Sequence, residues 1–336
     1  MSTPSFVIAA RITPRPGIDR LDPAEYFSGA AVRQAALDAE TAGAAFVLLD
    51  DDLDTAPAAG SAAGRLSALQ TAAWLGPQTS SIAVVPTLRT THTEPFLMGT
   101  ESASLDWATR GRAGVLFAPS LGADAAANVG RRATPSAEPA WAETADVIDV
   151  VRRLWDSWEA DAEIRDQATG RFVDRSKLHY VDFSGTDSAG EEFTVKGPSI
   201  VPRPTQGHLP VFVEHTPEVP LEALRGAVEQ ADVVLLPASS AGPEAVKVLD
   251  WNPSARVLAV IDADSDSLDP ELVARWVQVG VSGVVLETGP YDVELAVRAA
   301  AGLVPELVGT EVSPDAETTL RERLGLPPAE NRYAKV

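Results

Sequence analysis

Cysteine is absent from this 336-residue chain, which excludes disulfides, thiolate metal sites and cysteine nucleophiles. Long apolar runs are also missing; none approaches the ~18 residues a membrane span needs. Positive charge is scarce, with 27 Lys and Arg against 48 Asp and Glu and a formal net charge of −21. A field of that sign repels phosphodiester backbones and anionic lipid, so neither nucleic acid nor a membrane is expected as a partner. Residues 1–6 carry no basic start leading into an apolar stretch, so they do not read as a signal peptide. Together with the lack of cysteine, this gives a cytoplasmic location as the expectation.

Several catalytic signatures are absent as well. Only four histidines occur, none in a His-Glu-x-x-His spacing, so no metal site is expected. There is no Gly-x-Ser-x-Gly elbow and no Gly-x-x-x-x-Gly-Lys-Ser/Thr loop. Many carboxylates are present, but no pair is marked out as a glycosidase pair.

What is present is a rhythm. Continuous apolar, β-branched runs recur at residues 6–12, 45–49, 82–87, 113–118, 210–213, 233–236, 257–261 and 283–286. Unbroken runs of this kind suit strands buried on both faces of a parallel sheet. Helical patterns alternate with them, at 30–42, 66–75, 94–109, 221–230, 243–249 and 270–279, several closed by Gly or Pro. Eight strand–helix units predict a (β/α)8 TIM barrel. An open doubly wound sheet shares the unit, but the first strand runs into Thr13-Pro14-Arg15-Pro16-Gly17 rather than a glycine-rich dinucleotide turn. The chain reads as one domain, 1–336. It carries a long insertion between strands four and five, about 120–208, and a C-terminal tail at about 310–336. The insertion holds an amphipathic helix at 141–159, a polar stretch at 161–177 and an edge strand or hairpin at 192–196. The Ala/Gly/Ser-biased loop 56–64 is placed near the barrel mouth.

Chemistry in a barrel gathers beyond the carboxyl ends of the strands. The second strand ends in Asp50-Asp51-Asp52, whose neighbouring side chains point to opposite faces and so cannot all converge. The third runs into Thr87-Leu88-Arg89-Thr90-Thr91-His92, hydroxyls and an imidazole suited to the edge of a planar heterocycle. Thr93-Glu94-Pro95 reads as a helix start.

Three blocks resemble a known family. The first is Thr90-Thr91-His92-Thr93-Glu94-Pro95-Phe96, followed by Ala103-Ser104-Leu105-Asp106 and Gly111-Arg112-Ala113. The second is Val150-Val151-Arg152-Arg153-Leu154-Trp155-Asp156-Ser157-Trp158-Glu159, with Gly170-Arg171-Phe172 and Gly197-Pro198. The third is Thr319-Leu320-Arg321-Glu322-Arg323-Leu324-Gly325-Leu326, ending in Asn331-Arg332-Tyr333. Their order is similar to that of the luciferase-like flavin monooxygenases, in the group acting on nitrilotriacetate, dibenzothiophene sulfone and pristinamycin. The resemblance implies a TIM barrel, a homodimer, and reduced FMN supplied by a separate flavin reductase to oxygenate a small-molecule substrate. It implies Asp51, Thr87, Trp141 and Thr216 at the cofactor and His92 at the reacting edge.

The chain also departs from the pattern. Trp141 stands where the family has a phosphate-side Tyr, Ala137 where it has a His, and Leu116 where it has an Asn. The turn after strand five reads Glu214-His215-Thr216-Pro217-Glu218-Val219-Pro220, lacking the family's glycines. Two prolines there remove amide donors and two glutamates oppose a phosphate. Two alternatives follow: a related barrel that has lost flavin and serves as a binding or scaffold protein, or an oxidoreductase using a deazaflavin.

Overall fold

The structure is a computed structural model describing residues 6–13, 28–53, 66–263, 268–303 and 318–334. The loop 56–64, the start of the tail and the segment from Pro14 to residue 27 lie outside the described residues.

Eight parallel strands close into a barrel, as the strand rhythm predicts. In chain order they are β1 (Val7–Arg11), β2 (Phe46–Leu49), β3 (Ala83–Arg89), β4 (Val115–Ala118), then β9 (Val211–Glu214), β10 (Val233–Pro237), β11 (Arg256–Asp262) and β12 (Val281–Glu287). Around the ring the order is β1-β12-β11-β10-β9-β4-β3-β2, so β1 and β9 stand opposite one another. The outer layer comprises α1 (Gly29–Ala42), α2 (Ala68–Leu75), α3 (Pro95–Thr109), α6 (Arg225–Val228), α7 (Ala241–Trp251), α8 (Pro270–Gln278) and α9 (Val293–Leu303). Gly43 ends α1 as expected, at φ 87°, its amide bonded to Ala39 and Glu40 carbonyls. The stretch 221–230 forms a 3-10 turn, Leu221–Leu224, before the single turn of α6 rather than one continuous helix. Pro217 and Pro220 just ahead of it restrict the entry.

Period-two alternation divides each strand between two cores. Val7, Ala9, Phe46, Leu48, Ala83, Val85, Phe212, Leu235, Leu258 and Val285 fill the lumen. Their neighbours, such as Ile8, Ala10, Val47 and Val84, face the helices.

The insertion holds α4 (Ala123–Val129), α5 (Ala137–Asp156) and two antiparallel hairpins. These are β5 (Glu163–Asp166) with β6 (Arg171–Val173), and β7 (Phe183–Thr186) with β8 (Glu192–Val195). Helix α5 begins a turn earlier than the sequence pattern suggests, at Ala137, and stops at Asp156. It packs on α3, where Gly99 admits Leu154; a Cβ at Gly99 would meet Leu154 Cδ1 at 2.8 Å. Trp155, 1% exposed, donates its indole N–H to the Gly99 carbonyl at 3.2 Å. The tail helix α10 (Leu320–Arg323) plugs the amino-terminal end of the barrel with Leu320 and Leu324, both 0% exposed.

Candidate active site

The alternation that fills the lumen with Val7 and Ala9 brings Arg11, next on that face, into the carboxyl-terminal mouth. The same parity turns Asp50, Glu214 and Glu287 inward, after Leu48, Phe212 and Val285. The four side chains meet. Arg11 Nη1 lies 2.5 Å from Glu287 Oε1, Nη2 lies 2.6 Å from Glu214 Oε2, and Nε lies 3.4 Å from Asp50 Oδ2. Since β1 and β9 are opposed in the ring, the Arg11–Glu214 pair bars the lumen from wall to wall. Burial alone would lower the Arg11 pKa, but the three carboxylates outweigh it and hold the guanidinium charged. Burial pushes the Glu214 carboxyl above the usual carboxylate range; Arg11 opposes that push, while Asp50 and Glu287 add to it.

This bar has a cavity on each side. Toward β2, β3 and β4 lies one of about 230 Å³, bordered by Asp50, Thr87, Arg89, Leu116, Trp141 and Thr216 among others. Two side chains that border this cavity, 3% and 5% exposed, carry a buried polar atom with no hydrogen-bond partner among the described residues: Thr87 Oγ1 and Trp141 Nε1. Burying a polar group unpaired costs about 1–3 kcal/mol, so each of these atoms calls for a partner, which a ligand at the neighbouring cavity can supply. Arg89 is fixed at the rim by donating to the Asp51 carbonyl at 2.6 Å and the Pro119 carbonyl at 3.1 Å. Its nearest carboxylate contact among the described residues, Asp52, is at 3.9 Å. Toward β10, β11 and β12 lies a larger cavity of about 570 Å³.

The structure therefore brings Thr87, Trp141 and Thr216 to one cavity. Asp51 does not line it; its Oδ2 accepts from the Ala68 amide at 2.9 Å, tying the end of β2 to the start of α2. Asp50 and Asp52 face the cavity instead. His92 opens on a separate pocket of about 30 Å³ with Glu94, Arg131, Arg132 and Glu143. Both of its ring nitrogens are without a partner among the described residues, and burial, aided by Arg132, lowers its pKa below the ordinary value. Arg11, Glu287 and Asp262, which the sequence motifs do not mark, border the mouth as well. The alternation Val7-x-Ala9-x-Arg11 is the signal that locates the first of them.

The turn after β9 folds onto itself. His215 is buried, with Nδ1 2.9 Å from Glu244 Oε2 and Nε2 2.7 Å from the Val219 carbonyl. The His215 amide donates to Leu235 and the Val219 amide to Thr216, and the prolines at 217 and 220 have no amide to offer. Glu214 and Glu218 flank what remains. Residues at the smaller cavity fit the polar edge of a planar heteroaromatic ring; those at this turn do not fit a doubly charged phosphate. Among the described residues no group of three or more potential ligands can hold a metal ion, and no helix is long and apolar enough to cross a membrane.

A closed parallel barrel with polar groups at its carboxyl-terminal mouth defines a class in which many enzymes bind ligands. Residues 6–249 match the luciferase-like monooxygenase family, and the chain belongs to it. It is 32% identical to one of the subunits of pristinamycin IIA synthase from Streptomyces pristinaespiralis, over 90% of this chain and 91% of that one. It is 39% identical to nitrilotriacetate monooxygenase component A of Aminobacter aminovorans, over 46% of this chain and only 33% of that protein. The structure of the EDTA monooxygenase from Chelativorans sp. BNC1 superposes with a TM-score of 0.77 at 17% identity, covering 97% of this chain and 99% of the other.

Proposed function

We propose that this chain is the oxygenase half of a two-component flavin monooxygenase, taking reduced flavin from a separate reductase and acting on a small organic substrate at the barrel mouth. The observation that carries this reading is the pair of donors without a partner among the described residues, Thr87 Oγ1 and Trp141 Nε1, on side chains that border one cavity of about 230 Å³. In this reading the bound isoalloxazine supplies oxygen activation, and the protein supplies orientation and exclusion of water. Thr87 and Trp141 donate to the ring's acceptor edge, and the Arg89 guanidinium favours the anionic reduced form. Thr216 closes the cavity from the β9 side, and Asp51 acts through the β2–α2 junction rather than by contact. His92, in its own pocket, is assigned no contact with the ring.

FMN is the form the family resemblance implies. Because carboxylates crowd the turn after β9, the ring rather than the phosphate is expected to carry the affinity. Exposed Trp74 on α2 and Leu97 and Trp107 on α3 supply apolar area for the expected homodimer. Anaerobic titration with photoreduced FMN, followed by fluorescence, tests the reading. Micromolar binding supports it, and no binding at millimolar ligand overturns it.

The same crowded turn favours a second reading, a barrel that has given up flavin and serves as a binding or scaffold protein; its Streptomyces relative is named as one subunit of a synthase. It predicts no binding of oxidised or reduced flavin, together with a stable complex with a different protein.

A further inference from the structure

The smaller cavity is assigned above to the flavin ring; the larger one is unassigned. It is walled by β9 to β12 and α8, and separated from the first by the Arg11–Glu214 bar. Its volume of about 570 Å³ is in the range of small-molecule sites. Val260, Leu272 and Trp276 give it an apolar side. The polar side is acidic: Glu214 and Glu287 share Arg11, Glu218 stands exposed at the rim, and Asp262, which has an interaction of its own, lies beside them. Arg11 is the one cation bordering it among the described residues, and its two terminal nitrogens are already held by Glu214 and Glu287 at 2.6 and 2.5 Å. An anion entering here meets carboxylates and, among the described residues, no available counter-charge, whereas an ammonium group meets Glu218 and the carboxylate oxygens that Arg11 leaves over.

We propose that this larger cavity is the substrate chamber and that it selects an amine, bound as its ammonium ion with its hydrocarbon body against Trp276. The assignment of substrate rather than simple ligand rests on the flavin reading of the neighbouring cavity. The Arg11–Glu214 bar is then the partition across which the two molecules face each other. Chamber size and charge do separate work: the apolar wall accepts a ring or short chain, and the carboxylates reject its acidic analogues.

Three probes with one ring and different charge test this: 2-phenylethylamine, 2-phenylethanol and 3-phenylpropionate, titrated calorimetrically at neutral pH into the intact chain. The amine is expected to bind at least tenfold more tightly than the alcohol, and the carboxylate more weakly than either. Glu218→Gln, at an exposed rim position, should cut the amine's advantage several-fold while leaving alcohol binding unchanged. Ser239→Phe, which fills the chamber from its rim, should abolish binding of both. Glu330→Gln, an exposed tail residue beside the segment that leads into the amino-terminal end of β9, should change nothing. Equal binding of the three probes overturns the proposal. So does an amine preference that survives both rim substitutions, since that reports only the acidic surface. Flavin titration of the same samples separates the two readings. Flavin binding without amine preference removes the chamber alone. Amine preference without flavin binding keeps a site for organic cations and removes the monooxygenase assignment.

Discussion

Replacing Arg11 by methionine leaves three carboxylates facing each other in the barrel mouth with nothing to neutralise them. Breaking a buried pair from one side costs about 3–5 kcal/mol, so Arg11→Met should lower unfolding stability by that order at pH 7, read by urea denaturation. Without the guanidinium the folded carboxyls take up protons more readily than unfolded ones. The folded state is then favoured below the unfolded carboxyl range, and that advantage is lost as pH rises through the raised folded values. The deficit of the variant should therefore shrink at pH 4 to 5; a deficit independent of pH would contradict the bar as described. Thr87→Val makes the opposite kind of prediction. It removes a buried hydroxyl that has no partner among the described residues, so Tm should hold or rise. Reduced-flavin affinity should fall about three- to tenfold, the worth of one hydrogen bond. Loss of stability with unchanged affinity would show that the hydroxyl belongs to the fold.

These residues also show how far a site can be read from sequence. Family resemblance points to Asp51, but strand parity points to Asp50 and Asp52, because Leu48 is a lumen residue and side chains alternate. A shift of one position turns a carboxylate from the mouth to the α2 junction, where Asp51 is found. Thr87 and Trp141 are legible as motif positions, and the structure brings them to one cavity. Arg11 is not, because a single charged residue ending an apolar strand carries no motif; only the closed ring shows that Glu214 stands across from it. His92 stands out by its chemistry in a hydroxyl-rich run, and sequence has no means of showing that the strand end turns it into a pocket of its own.

At the scale of elements, the eight barrel strands are legible because burial on both faces writes them as unbroken apolar runs. The β5–β6 hairpin is not. Its residues are intermediate or exposed along both strands, so residues 161–177 show no alternation to read. The tail carries its own prediction. Asp156, 1% exposed on its side chain, pairs with Arg203, accepts from His208 at 2.8 Å and lies 3.5 Å from Arg332 of the tail. Burial would raise this carboxyl, but His208 and Arg203 outweigh it and hold it below the ordinary range. A carboxyl with a depressed folded pKa stabilises above its unfolded value, and that stability is lost as pH falls through the folded one. Unfolding should therefore steepen below about pH 4, and Asp156→Asn should flatten that limb while costing about 3–5 kcal/mol at neutral pH. An unchanged acid limb in the variant would assign the acid sensitivity elsewhere. On the same element, Leu320→Ala empties a fully buried site at the barrel floor and should cost about 2–5 kcal/mol in urea.

For the whole molecule, the barrel keeps the scaffold of its family, while its mouth has Thr87, Trp141 and Arg89 on one side of a charged bar and carboxylates on both. The donors suit a neutral or singly charged ring. The turn after β9, with its prolines and with Glu214 and Glu218, opposes a dianion. The most direct measurement is a paired anaerobic titration of reduced riboflavin and reduced FMN against the same protein at low salt. The two should bind within a few-fold of each other, with riboflavin the equal or the better ligand, because the two prolines offer no amide and Glu214 and Glu218 oppose the phosphate. FMN binding tenfold or more tightly than riboflavin would mean that this mouth grips a phosphate after all, and would contradict the electrostatic account of the site.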